Sequence, residues 1–383
     1  MPFPRSALPA LTALTAALLL ALAAPAVAAG PALRVTIGHS GPLTGGNAFA
    51  GKDNENGVRL AIEELNATPI TVGGKAVTFV LQSEDDQGDP KAGVTVAQKF
   101  ADAGVKYVLG PYNSGVAIPA SRVYNDAGVV LSTVATSPKV TQSGYPYLFR
   151  MLASDTQVGA AMADYAARRL KLKTIGVIDD RTAFGQGIAN EFARQAKLAG
   201  VTIAGHEFTT DKATDFATIL TALKAKHVDA IFFGGYAPQA GPMAHQMKQL
   251  ELHARLLGGD TLCSAEMGKL GGDAVDDTVL CVQGGALLDQ QAKGPAFKAR
   301  YQRRFQHAPD VYAASYYDQM MFIAASMKAS NSVDPAVVGA RLHHDSYAGV
   351  VGTYAYDAKG NMLKSAVTVY GFQHGQPVPV PVQ

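Results

Sequence analysis

Val105-Lys-Tyr-Val-Leu-Gly110 followed by Pro111-Tyr-Asn-Ser114-Gly115, and Gly128-Val-Val-Leu131 followed by Ser132-Thr-Val-Ala-Thr136-Ser137-Pro138, decide the fold of this chain. Each is an apolar strand that ends in a small polar loop. Between them Val116, Ala117, Ala120, Val123 and Ala127 fall near helical spacing, which predicts a helix over 116–127. Pro119 has no N–H to give, so the regular helix is expected to begin near Val116 or Ala117. A strand, a helix and a strand of these lengths make a right-handed parallel unit. Ser114 and Gly115 then lie at the strand–helix junction, where free N–H groups and the helix dipole favour an anion. Hydroxyls at Ser114, Thr133 and Thr136 sit on two neighbouring loops at the carboxyl ends of parallel strands, the crevice where open α/β sheets bind ligands. Taken singly, each hydroxyl reads as a turn or helix cap. The pair of loops is what points to a site.

With 383 residues, 48% of them hydrophobic, the chain can bury a large core and is expected to form two domains. Residues 1–28 stand apart from both. Arg5 precedes an apolar run from Ala7 to Ala24, and Ala26-Val27-Ala28 supplies an A-x-A cleavage site, the layout of a secretory signal. A membrane anchor is the rival, disfavoured by Pro9, Pro25 and the missing basic flank. Without Arg5 the chain carries 32 Lys and Arg against 31 Asp and Glu, well interspersed, which argues against nucleic acid or an anionic membrane as partner. Cys263 and Cys281, close together in an exported chain, read as a disulfide. Two buried thiols or a metal pair are the alternatives, and no CxxC or nearby His supports the metal.

Outward from the opening stretch, Leu33–Gly38, Ala76–Leu81 and Tyr147–Arg150 read as further strands. Asp89-Pro90 and Asp334-Pro335 read as N-cap and first-turn pairs of helices. The alternation restarts after Asp155, with strands at Thr174–Ile178, Val201–Ile203, Val228–Phe233 and Arg255–Gly259, each separated by a helical or loop segment. That pattern predicts α/β architecture with parallel sheets in two similar lobes. The second lobe also places polar and aromatic groups at strand ends, Tyr236 after Gly234-Gly235 and Asp260 after Gly258-Gly259. A final strand is expected at Ala366–Phe372, with the Pro-Val tail from Pro377 extended and loose.

Four stretches carry a family likeness: Ser40-Gly-Pro-Leu-Thr-Gly45 with Gly57; Asp85-Asp-Gln-Gly-Asp-Pro90; Leu109–Gly115 with Ser132–Pro138; and Gly234-Gly-Tyr236 with Gly259-Asp260. Together they resemble the periplasmic leucine/isoleucine/valine-binding protein of ABC importers, a type I periplasmic binding protein. The resemblance implies two Rossmann-like lobes joined by three crossovers near Asp155, Gly284 and Val367. Residues 29–154 and 285–366 would form the N-terminal lobe, and 155–284 and 367–383 the C-terminal one. It also implies hinged closure on an amino acid that is handed to a membrane permease from the periplasm, by a monomer without cofactor or catalysis.

Matched position by position, the resemblance implies that Ser114 bonds the ligand carboxylate and that Val134, with Ala135 beside it, offers backbone contacts. Thr136 would hold both carboxylate and ammonium, Tyr236 would lie beside the ligand, and Asp260 would pair with the ammonium. Phe184 and Tyr312 would line the pocket. A family tyrosine near the first loop is replaced here by Phe49 or Ala50. Such a set suits a buried zwitterion, whose two charges must each be matched.

Other readings remain. Urea, short amides or aromatic acids could occupy the same cleft, and the lobe pair also serves in ligand sensors. An enzyme is the rival from another class. Gly185-Gln-Gly187 lies between a strand and a helix like a dinucleotide loop, but Asn190 stands where a third glycine belongs. Ser114 lacks a nucleophile-elbow frame because Tyr112 holds the glycine position. His343-His344 reads as surface rather than metal-binding.

Overall fold

The computed structural model describes residues 1–3 and 32–380; the signal segment and its cleavage site lie outside the described residues. Two parallel-rich sheets form the framework. The first has six strands in the spatial order 71–72, 75–85, 33–41, 107–109, 130–133 and 148–150. The second has seven, in the order 376–379, 367–373, 279–284, 255–258, 230–234, 174–179 and 202–208. The central strands are short and buried throughout, as Tyr107–Leu109, Val130–Thr133 and Ala230–Gly234 show. Helices on both faces leave such strands no solvated side, which is why they read as unbroken apolar runs.

The helix after Leu109 runs from Ser114 to Asp126, two residues earlier than expected, with Pro119 inside it. Pro119 removes one backbone hydrogen bond but does not end the helix, because Val116, Ala117 and Ala120 are fully buried and hold it to the sheet. Ser114 therefore stands in the first turn, with its N–H among those free of helical partners. The two Asp-Pro pairs cap as read: Asp89 accepts from Lys91 and Ala92 N–H, and Asp334 from Ala336 and Val337 N–H. Helix 48–67 crosses helix 313–330 so closely that a Cβ on Gly57 would lie 2.1 Å from the Ala313 carbonyl oxygen.

The chain passes between the two sheets three times. Residues 151–154 lead from the last strand of the first sheet to helix Asp155–Asp164, which packs on helix Ala183–Leu198 beside the second. From Gly284 it returns to helices 294–305, 313–330 and 335–344, and Arg300 and Arg304 pair with Glu64 and Glu63 of helix 48–67 there. At Ala366–Val367 it crosses again into the antiparallel strand 367–373.

The tail is not loose. Gln376–Pro379 pairs antiparallel with 367–373, and its prolines sit on an edge strand, where a missing N–H is tolerated. His343 is not simply surface either. It packs on Phe149 at 4.7 Å between ring centroids, its ring nitrogens beside the carbonyls of Asp357 and Pro146. Cys263 and Cys281 are joined, with Cα atoms 5.5 Å apart and a sequence separation of 18. Closing a loop of that size restrains the unfolded chain by about 3 kcal/mol. Among the described residues no helix is long and apolar enough to cross a membrane.

Candidate functional site

The carboxyl ends of both sheets face each other, and the loops that leave them meet in one cleft. Gly46 approaches Pro238, and Gly115 approaches Ala183, within 3.4 and 3.8 Å of where a Cβ would stand, so the two bodies are in contact across it. From the first sheet come Ser114 and the loop 133–137. The Ser114 hydroxyl accepts the Ser137 N–H at 3.3 Å, joining the two loops. Thr133 turns inward instead of facing the cleft: it donates to the Pro111 carbonyl at 2.6 Å and accepts the Ala135 N–H at 2.9 Å. Its hydroxyl shapes the loop that presents Val134, Ala135 and Thr136.

Arg150 holds that loop from behind. The guanidinium is almost wholly buried and donates to the carbonyls of Thr136 and Ser137, both at 2.7 Å, and to the Thr141 hydroxyl and the Asn361 side-chain oxygen. Burial lowers its pKa to about 10, so it remains charged at neutral pH. Arg150→Met removes four charge-assisted hydrogen bonds that fix the loop, although the Thr136 and Ser137 carbonyls keep the Asp155 and Val140 N–H groups. Urea unfolding is expected to show a loss of roughly 3 kcal/mol, and calorimetry a weaker ligand because the Thr136 loop is no longer fixed.

From the second sheet come Tyr236, at the start of helix Ala237–Gln249, and Asp260, in the short turn after strand 255–258. Ser264, not Asp260, caps the following helix by accepting the Met267 N–H at 3.2 Å, which leaves the Asp260 carboxylate free for the cleft. The Tyr312 hydroxyl donates to Asp260 Oδ2 at 2.7 Å, whereas Oδ1 has no partner. Burial raises the Asp260 pKa to about 6, against the opposing pull of the Tyr312 bond. Tyr112 stands between Tyr236 and Tyr312, with ring centroids 5.9 and 5.7 Å away, and Phe184 lies 5.1 Å from Tyr236. Burial lifts the phenols of Tyr112, Tyr236 and Tyr312 well above 10, so this wall is neutral. Beside it, Phe49, Ala50, Asn54, Tyr112, Val311 and Tyr312 close in on a remnant cavity of only about 10 Å3, so the wall is tightly packed. Phe49 packs, half-buried, against both of the larger hydrophobic clusters.

The structure thus brings Ser114, Val134, Ala135, Thr136, Phe184, Tyr236, Asp260 and Tyr312 to one buried cleft. Two further residues belong with them. Tyr112 is the middle ring of the aromatic wall. Asp155 opens helix 155–164 and is fully buried, with only the Thr136 hydroxyl close to its carboxylate and no well-formed hydrogen bond to either oxygen. Burial raises its pKa to about 8, with the Asp260 charge adding to the rise and the Thr136 hydroxyl and Arg150 opposing it. The helix dipole should favour its ionised form; burial outweighs it. A Cβ on Gly187 would lie 3.2 Å from Asp155 Oδ2, so that glycine keeps the carboxylate uncovered. The signal for Asp155 was present in Ser154-Asp-Thr-Gln157, a capping box that starts a helix just past a strand end.

Among the described residues no group of three or more His, Cys, Asp or Glu is placed to hold a metal ion. The cleft instead offers two unpaired carboxylates, a helix start with hydroxyls, and aromatic walls, an arrangement for holding a small charged molecule.

Known proteins share this plan. The chain is 33% identical over 343 residues to Leu/Ile/Val-binding protein homolog 1 of Brucella abortus, covering 89% of this chain and 91% of that one. The crystal structure of a leucine-binding protein from Thermotoga maritima superposes with a TM-score of 0.83 at 24% identity, covering 91% of this chain and 98% of that one. An ABC transporter substrate-binding protein from Desulfitobacterium hafniense, complexed with Leu, superposes at 0.75 with 26% identity, covering 91% and 100%. The family model described as "Periplasmic binding protein" matches residues 34–376, nearly every residue that builds the two sheets and the cleft between them. With its fold, its cleft and its relatives in agreement, this chain belongs to the periplasmic binding protein family.

Proposed function

We propose that the protein is the extracytoplasmic substrate-binding component of an ABC importer and carries an aliphatic amino acid to its permease. The observation that supports this best is the pair of buried carboxylates without a cationic partner, Asp155 and Asp260, the latter with Oδ1 free, in the same cleft as a helix start furnished with hydroxyls. A zwitterion resolves both needs at once. Its carboxylate accepts from the Ser114 hydroxyl, the free N–H groups of Ser114 and Gly115, and Thr136. Its ammonium lies between Asp155 and Asp260, with Val134 and Ala135 adding backbone contacts. Its side chain lies against Tyr112, Phe184, Tyr236 and Tyr312, where burial contributes about 25 cal/mol per Å2. The relatives named for leucine, isoleucine and valine support an aliphatic side chain.

The two bodies are residues 32–154 with 285–366 and residues 155–284 with 367–380, hinged at their three connections and acting as a monomer outside the cytoplasm. Ligand-stripped protein is to be titrated with leucine, isoleucine, valine, phenylalanine, urea, short amides and benzoate. Calorimetry suits this test, because the chain has no Trp to report closure. Saturable binding of leucine, isoleucine or valine at one per chain is expected. Binding of urea or benzoate alone would sink the amino-acid assignment.

A further inference from the structure

The second sheet sends two side chains to the cleft wall, Tyr236 and Asp260, from the ends of the neighbouring strands 230–234 and 255–258. One hydroxyl ties their loops together. Thr261, in the turn Asp260–Leu262, donates to the Gly235 carbonyl at 2.6 Å, and both residues are buried. Among the described residues no other N–H or hydroxyl donates to that carbonyl. Gly235 comes directly before Tyr236 and Thr261 directly after Asp260, so the bond joins the two stretches of backbone on which those side chains are mounted. The turn is held on its other side as well. Leu262 is wholly buried, and a Cβ on Gly258 would lie 2.4 Å from its Cδ2, so the turn folds tightly over the end of its own strand. Cys263 is then bonded to Cys281, which the strand register places beside Gly258. All of these links lie within one body, so none depends on closure of the cleft.

We propose that Thr261 is a positioning residue of the cleft, whose hydroxyl sets Asp260 and Tyr236 as one half-site, so that the charge and the side chain of a ligand are read together. This rests on the ligand contacts proposed above. A binding constellation needs its groups held to about 0.5 Å by partners whose own geometry is locked. Tyr312 reaches Asp260 only from the other body, so the turn itself must be fixed from within its own. Thr261 supplies that fixing on the side that faces Tyr236, and the disulfide supplies it on the side of strand 279–284. Without the hydroxyl, the Gly235 carbonyl is a buried acceptor with no donor, and its loop gains by moving to find one. The movement carries Tyr236 with it and releases Asp260 from the line of the ammonium.

Thr261→Val keeps the shape of the side chain and removes the hydroxyl. By calorimetry it is expected to weaken leucine binding about tenfold, whereas Thr261→Ser, which keeps the donor, stays within threefold of the wild type. In an Asp260→Asn background the same Thr261→Val change costs threefold or less, because the charge it positions is gone and only the part acting through Tyr236 remains. A merely structural loss would be equal in both backgrounds. Amide exchange of the ligand-free protein, read by mass spectrometry, is the second measure. Thr261→Val speeds exchange at least threefold in residues 235–237 and 260–263 together, and Thr261→Ser does not. That readout needs no ligand: if it appears while the wild type fails to bind leucine, the amino-acid assignment falls and the link between the loops stands. Wild-type affinity in Thr261→Val, equal losses in both backgrounds, or faster exchange confined to 260–263 overturns the proposal. Should Thr261→Val lose its native circular dichroism, Thr261→Ala removes the same hydroxyl without adding a buried methyl and is held to the same outcomes.

Discussion

Asp260→Asn is expected to weaken leucine binding thirtyfold or more, the equivalent of about 2–5 kcal/mol for removing one partner of a buried charge pair. Asparagine keeps the size of the side chain and can still accept from the Tyr312 hydroxyl, which in the wild type reaches Oδ2 at 2.7 Å. What it removes is the charge that faces the ammonium through Oδ1, the oxygen with no partner of its own. The variant should fold, and ligand-free it should melt no lower than the wild type. Above its pKa of about 6 the buried carboxylate is an unpaired charge in the folded chain and a solvated one in the unfolded chain, so neutralising it relieves the native state. A binding loss paired with an unchanged or raised melting temperature separates a ligand contact from a structural role. Calorimetric titration showing wild-type affinity would remove Asp260 from the site.

Much of this was legible in the chain. The apolar runs at Tyr107–Leu109 and Val130–Thr133 could only be parallel strands covered on both faces, and their polar ends marked the cleft. The position of Asp260 followed from its place after Gly258-Gly259. Sequence spacing cannot show which hydroxyls turn inward, however. Thr133 and Thr136 stand three apart on one loop, and only the fold shows Thr133 bonded to Pro111. Nor does local pattern reveal that Arg150, on a short strand, reaches back to the carbonyls of Thr136 and Ser137. The helix start was misplaced because Pro119 was weighed by its missing N–H alone, without the buried face that holds the helix together. The tail was misread for a similar reason, since prolines that forbid a central strand are permitted on an edge.

Asp155 gives the other large effect, and it appears in pH. Its folded pKa of about 8 stands above the unfolded value near 3.8, so between those limits the ligand-free folded chain binds the extra proton. The stability this contributes is complete below about pH 4 and is lost as pH rises through 8. Binding runs the opposite way. An ammonium needs the ionised carboxylate, so near pH 6 the ligand must displace a proton from Asp155, whereas Asp260, at about 6, is already largely ionised by pH 7. Leucine affinity should therefore rise by up to about tenfold per pH unit from 6 toward 8 and then level off, one proton being released for each ligand bound. Titrations at pH 6, 7 and 8 in buffers of different ionisation heat measure both the slope and the proton count. Asp155→Asn should bind weakly at every pH, with the slope and the proton release between pH 7 and 8 gone and only the smaller contribution of Asp260 left near pH 6, and its ligand-free form should lose less stability across that window. A flat affinity in the wild type, with no proton released, would mean that the ammonium does not reach Asp155 and that Asp260 alone holds it.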